Sequence, residues 1–221
     1  MNIVRVWFSK GKEASYISHL DMQRVMHRVL RKGKVNAWYS KGFNPHIYLT
    51  FALPLPLGQE SVCEYMDYKT EDEDPDLNDI FYKIKDILPQ GIEVYNVTLA
   101  KHKANDIEQS RYLITFPNEI REKAEKAVSH YNNAETAITY KLGKQKGQKV
   151  MKELDLKQYI DVLTPLNDNS TYCLDLLLPA GVVTINPALI LNYFQEQLSL
   201  DCTNVSIKRT QVLMKNMEIF E

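Results

Sequence analysis

The sequence predicts an α+β protein of two tandem ferredoxin-like (split βαβ) domains with antiparallel sheets. Three observations carry this expectation. Over residues 1–100, β-rich and amphipathic helical segments alternate as strand, helix, strand, strand, helix, strand. A polar stretch, KHKANDIEQS (101–110), reads as a linker. The alternation then recurs more loosely over residues 111–221. With 221 residues, 44% hydrophobic and 25% charged, the chain can supply two cores of about 100 residues each, and its composition is that of a globular protein.

The elements follow in order. IVRVWF (3–8) is rich in β-branched and aromatic residues and reads as a strand. SHLDMQRVMHRVLRKG opens at Ser18 as N-cap, carries Asp21 three residues on, and stops at Gly33. Wound at 100° per residue, it puts Met22, Val25, Met26 and Val29 on one side, and Arg24, His27, Arg28 and Arg31 on the other. Extended segments at Val35–Tyr39 and Ile47–Ala52 flank the turn KGFNPH, and another runs over Val62–Lys69. The acidic run EDEDPD (71–76) leads into a helix over Leu77–Leu88, and Ile92–Leu99 closes the first domain.

In the second half, Arg111–Phe116 reads as a strand, Asn118–Tyr131 as a helix and Thr136–Lys141 as a strand. LGKQKGQK (142–149) reads as a basic hairpin tip or mobile loop, and Leu156–Val162 as a short helix. Thr171–Leu178 is a strand, Pro187–Leu198 a helix opened by Asn186 and Pro187, and Thr203–Val212 the last strand.

Composition excludes several classes. No apolar run reaches the ~18 residues of a bilayer span, and the start lacks a signal peptide's apolar centre, so the expected address is the cytoplasm. Cys63, Cys173 and Cys202 form no Cys-x-x-Cys pair and no zinc spacing, which points to buried free thiols and no metal site. Neither a phosphate-binding loop nor a nucleophile elbow is present. The formal net charge of −1 conceals a strong asymmetry. Residues 1–50 hold nine basic and two acidic side chains, and residues 51–100 hold three and eleven. Such segregation can steer a polyanion to one face, unless the acidic segment covers the basic one.

Two short stretches stand out, WFSKG (7–11) and WYSKGFNPH (38–46), one on either side of the basic helix. Glycine allows close backbone approach, serine and lysine supply a hydroxyl and a cation, and the aromatics offer stacking faces for single-stranded bases. The expected phosphate contacts are Lys10, Arg24, Arg28, Arg31, Lys32 and Lys41. An adjoining pocket is expected from Ser9, Ser18, His19, Asp21, Tyr39, Ser40, Gly42, Phe43, Asn44 and His46, with the Ser40–His46 turn beside Ser9–Gly11. His19 and His46 are the acid/base candidates, since imidazole titrates near neutrality at about 6.5. Glu64 and Asp67 lie three apart in a strand and so face opposite sides, which argues against a carboxylate pair.

FSKG, YISHLDMQRVMHRVLRKG, YSKGFNPH, LPLGQES and EYMD together resemble a bacterial family of radical-SAM-linked proteins. The likeness is carried mainly by residues 4–70, with EVYNVTLA and KELDLKQYI adding to it. That family is a domain of unknown function found alone or fused to a radical SAM protein with a cobalamin-binding domain. The resemblance implies such a protein as partner, with S-adenosylmethionine, iron–sulfur cluster and cobalamin held by the partner and none by this chain. Three functions are expected on this basis. The first is an accessory module that binds RNA on the basic face for modification or processing. The second is a protein–protein adaptor without RNA, and the third a metal-independent endoribonuclease.

Overall fold

The computed structural model describes residues 2–145, 148–167 and 171–221, which form a mixed α+β protein of mostly antiparallel sheet with four α-helices. They divide into two compact units, Met1–Glu108 with Arg209–Glu221, and Gln109–Lys208.

In the first unit, β1 (Asn2–Lys10) leads to α1 (His19–Lys32), then β2 (Leu49–Phe51), β3 (Glu60–Thr70), α2 (Leu77–Lys85) and β4 (Ile92–Leu99). Ser18 caps α1 as expected: its Oγ accepts the Asp21 N–H at 3.2 Å and donates to the Asp21 carboxylate at 2.8 Å. Met22, Met26, Val29 and Leu30 are buried, each worth about 1.5–3 kcal/mol relative to exposure. Gly33 ends the helix for a reason the sequence does not display. Its φ is −71°, and it is Lys34 that turns left-handed at φ 51°. A β-carbon on Gly33 would lie 3.2 Å from the carbonyls of Lys83 and Val29, a tight contact that a larger residue could make only by displacing its neighbours by a few tenths of an ångström.

The strands are antiparallel. β1 lies between β4 and β3, β2 pairs with β3, and β10 (Ser206–Met214) neighbours β3. Val4, Val6, Phe8 and Lys10 alternate onto the buried face of β1, opposite Tyr68, Met66, Glu64 and Ser61. The apolar members join α1 and α2 in one core. On the other face Arg5 donates to both Asp67 oxygens at 2.8 Å and to the His102 carbonyl at 2.7 Å, and lies over the Phe220 ring at 4.2 Å. Glu64 and Asp67 thus face opposite ways, as their spacing requires.

The second unit contains the rest of β5 (Ile107–Phe116), α3 (Arg121–Asn133), the hairpin β6 (Ile138–Gln145) and β7 (Gln148–Asp155), β8 (Thr164–Asn167), β9 (Tyr172–Pro179) and α4 (Ala188–Leu198). β9 pairs antiparallel with β5 and with β8. Tyr131 donates to the Ile160 carbonyl at 2.6 Å, and the Asn132 amide both donates to and accepts from Leu163, tying α3 to the 156–163 segment. That segment holds only a 3-10 turn, Leu156–Gln158, in place of the expected longer helix.

Other differences are local. Val35–Tyr39 forms isolated bridges, not a strand, through Ala37 to Thr70 and Tyr39 to Ile47. The polar 101–110 stretch carries a turn at Ala104–Asp106 and is already strand from Ile107. Within LGKQKGQK, the flanks belong to β6 and β7, while residues 146 and 147 lie outside the described residues. Among the described residues, no helix is long and apolar enough to cross a membrane.

Candidate functional site

The two Ser-Lys-Gly bends have different structural uses and no common site. Ser9–Gly11 ends β1: Ser9 pairs with Glu93, and the Gly11 N–H donates to the Gly91 carbonyl at 2.8 Å. Ser40–Gly42 opens an exposed turn in which Gly42 takes φ 135°, a conformation that favours glycine. That turn is braced internally. Ser40 N–H donates to the His46 carbonyl at 2.8 Å, and His46 N–H donates to Ser40 Oγ at 3.1 Å. His46 Nδ1 lies 2.9 Å from Ser40 Oγ and 3.3 Å from the Asn44 carbonyl.

Between this turn and the outer face of α1 lies a groove of about 380 Å³. Arg24, His27, Arg28 and Arg31 line it from the helix, and Tyr39, Pro45, His46 and Ile47 from the other side. Helical spacing places the three arginines on one face, as the sequence indicates. Arg24 is shared with Asp21 at 2.8 Å in an exposed ion pair. Among the described residues, Arg28 and Arg31 have no ion-pair partner. Five carboxylates of 60–79 are occupied elsewhere: Glu64 on Arg209, Asp67 on Arg5, Asp72 on Asn36, Asp76 capping α2 and Asp79 on Lys83. None forms an ion pair with the α1 arginines among the described residues. Lys32 and Lys41 are exposed, and Phe43 projects fully into solvent at 105% relative exposure.

His27, with Pro45 and Ile47, lines the groove but is absent from the expected pocket, although its place on the basic stripe is legible. Partial burial, then the charges of Arg31 and His46, hold its pKa below the ordinary imidazole value.

Lys10 is a correction. It is 4% exposed, and its Nζ donates to the carbonyls of Ile17 at 2.8 Å and Ser15 at 3.3 Å. A cation so enclosed is unsuited to a phosphate backbone. Alternation along β1 carries the signal for this, since Lys10 continues the Val4, Val6, Phe8 face. His19 shares its surroundings, away from the groove. Together with Phe8, Met22, Phe51, Leu55 and Glu64 they line a void of about 10 Å³ under the first turn of α1. Burial and then the Lys10 charge lower the pKa of His19, whose ring meets Phe51 edge to face at 5.2 Å. Burial likewise lowers Lys10, against the pull of Glu64. Lys10, His19, Lys41 and His46 therefore do not rim one concavity. Ser18 and Asp21 serve the helix cap, and Ser9 the strand end.

Glu64 belongs to a buried ion pair. Arg209 Nη1 donates to Glu64 Oε1 and to the Leu53 carbonyl, both at 2.8 Å. Burial raises the Glu64 pKa while the guanidinium opposes it. Beside it the Cys63 thiol is pushed up to about 12 by burial, so it is an inert core sulfur. All three cysteines are free.

In the second unit a groove of about 490 Å³ is lined by Lys123, Lys126, His130, Ala127 and the 198–200 segment. It offers two point charges and one imidazole. The α1 groove presents three planar guanidinium forks and two imidazoles, a denser anion-binding set.

A family model described as "Uncharacterized protein conserved in bacteria (DUF2344)" matches residues 4–187. The chain belongs to this family. The matched span contains every residue of the α1 groove, and β10 with Arg209 lies beyond it. No curated protein matches the chain.

Proposed function

We propose that this member of the family is an RNA-binding accessory module. Its α1 groove holds the phosphate backbone, and Tyr39 and the projecting Phe43 offer faces for unpaired bases. One observation carries the reading: Arg28 and Arg31 stand in the groove beside His27 and His46 without a carboxylate partner among the described residues. Solvated surface arginines are common, but a row left unpaired along a groove of ligand size is the arrangement that an anionic chain complements. Lys32 and Lys41 extend the charge on either side.

The partner is read as a radical SAM protein with a cobalamin-binding domain, which rests on the motif resemblance in residues 4–70. The chain order of the first unit, with β1 between β4 and β3 and β2 on β3, supports a split βαβ, or ferredoxin-like, plan. A second such plan in the other unit, with the β6–β7 hairpin inserted, is part of the same proposal.

The test is direct binding. Purified, nuclease-treated protein is titrated into a fluorescent single-stranded oligoribonucleotide pool, and the expected result is saturable binding that weakens steeply with salt. Absence of binding at low salt, with a stable complex forming between the nuclease-treated protein and the radical SAM partner, would favour an adaptor role and end the RNA reading.

A further inference from the structure

We propose that the α1 groove cleaves RNA without a metal ion, with His27 as general base and His46 as general acid. This rests on the RNA reading above and adds a reaction to it. The placement of the two imidazoles carries it. His27 comes from the helical wall and His46 from the opposing turn, with Arg28 and Arg31 lining the same space. An in-line displacement at phosphorus needs a proton acceptor beside the attacking oxygen and a proton donor beside the departing one, so the two groups must approach from different sides.

The first wall supplies the acceptor. His27 is half-buried among Arg24, Arg28 and Arg31 of α1 and faces Tyr39 and His46 across the groove. Burial and neighbouring positive charge favour its neutral ring, the form that accepts a proton. The opposing wall supplies the donor in a fixed orientation. In the protonated His46 ring, Nδ1–H has acceptors in Ser40 Oγ and the Asn44 carbonyl, which leaves Nε2–H as the deliverable proton. Ser40 is a positioning residue, holding both the ring and the backbone of His46.

The step balances without redox change or co-reactant. The ribose 2′-oxygen attacks phosphorus as its proton passes to His27. The bond from phosphorus to the 5′-oxygen breaks, and His46 protonates that oxygen. The products are a 2′,3′-cyclic phosphate and a 5′-hydroxyl end, and proton exchange with water restores both rings. Arg28 and Arg31 neutralise the charge that grows on the phosphoryl oxygens. His19, named beside His46 from sequence, takes no part because it lies in the void under the start of α1.

The experiment incubates the full chain, with chelator present, with total bacterial RNA and with a random-sequence oligoribonucleotide pool, and end-maps the products by sequencing. The expected result is cleavage leaving cyclic phosphate and 5′-hydroxyl ends. His27→Ala and His46→Ala should each slow it by about 10²–10⁴-fold, and Ser40→Ala should slow it less and shift the alkaline limb of the pH profile, where the general acid loses its proton, with the RNA binding of each variant measured in parallel. His27→Gln and His46→Gln guard against a variant that fails to fold, with circular dichroism as the check. Binding without cleavage above the level of the double histidine variant would overturn this inference and leave the RNA-binding reading standing. Loss of binding by the wild-type chain would overturn both. Cleavage that survives the histidine substitutions, needs added metal, or leaves 3′-hydroxyl ends would also overturn it.

Discussion

Replacing Arg24, Arg28 and Arg31 together by glutamine should lower the salt dependence of RNA binding by a calculable amount. Seven residues of helix separate the first from the last, about 10.5 Å along the axis, so the row can reach two or three successive phosphates. Arg24 already shares Asp21 at 2.8 Å, whereas Arg28 and Arg31 have no ion-pair partner among the described residues, so the row counts as two to three neutralised charges. For a single strand each phosphate adds about 0.7 to the slope of log K against log salt, so the variant should lose about 1.4 to 2.1. Between 50 and 200 mM salt, these contacts alone should therefore weaken wild-type binding by about 7- to 18-fold. The assay is fluorescence anisotropy with a labelled single-stranded oligoribonucleotide at four salt concentrations. Lys123→Gln with Lys126→Gln, in the second unit's groove, removes charge elsewhere and should leave the slope unchanged. An unchanged slope in the arginine variant, or an equal fall in the lysine control, would refute the assignment of the backbone to α1.

Three further outcomes test the packing beneath the groove. Glu64→Leu or Arg209→Met alone should cost about 3–5 kcal/mol in urea denaturation by stranding a buried charge, while the double substitution should recover much of it. Ser18→Ala should cost about 1 kcal/mol in the same measurement, through loss of the α1 cap. His19 and His27 both have lowered pKa values in the folded chain, so the unfolded chain binds more protons below about 6.5. Stability should therefore fall as pH drops from about 7 to 5, and His19→Gln with His27→Gln should flatten that fall, read from denaturation midpoints across pH.

The elements most legible in the sequence were those whose period and punctuation agree. α1 begins after Ser18 and runs to Gly33 as expected because a cap and an apolar stripe coincide, although Gly33 is there for its close approach to α2, and β4 spans Ile92–Leu99 as expected. β7 was missed because Gln148–Asp155 is exposed along most of its length and carries no alternating apolar face. β8 was missed because it has four residues, with Pro165 among them. Among the site residues, Arg24, Arg28, Arg31, Tyr39 and His46 do come together, and His27 joins them through its position between the arginines.

By itself the sequence determined which face of α1 is basic, because a 3.6-residue period is a local property and needs no partner segment. It determined likewise that Glu64 and Asp67 part company across β3. Only the tertiary structure decided which charges remain available. Charge counting treats Lys10 and Arg28 alike, yet strand register carries Lys10 into the interior beside Glu64 and His19, while Arg28 opens onto the groove. It also brought Glu64 to Arg209, 145 positions apart, and set Asp67 on Arg5 and Asp79 on Lys83 instead of on the α1 arginines. Whether a charge reaches a ligand depends on who neutralises it in space, and that is set by long-range packing.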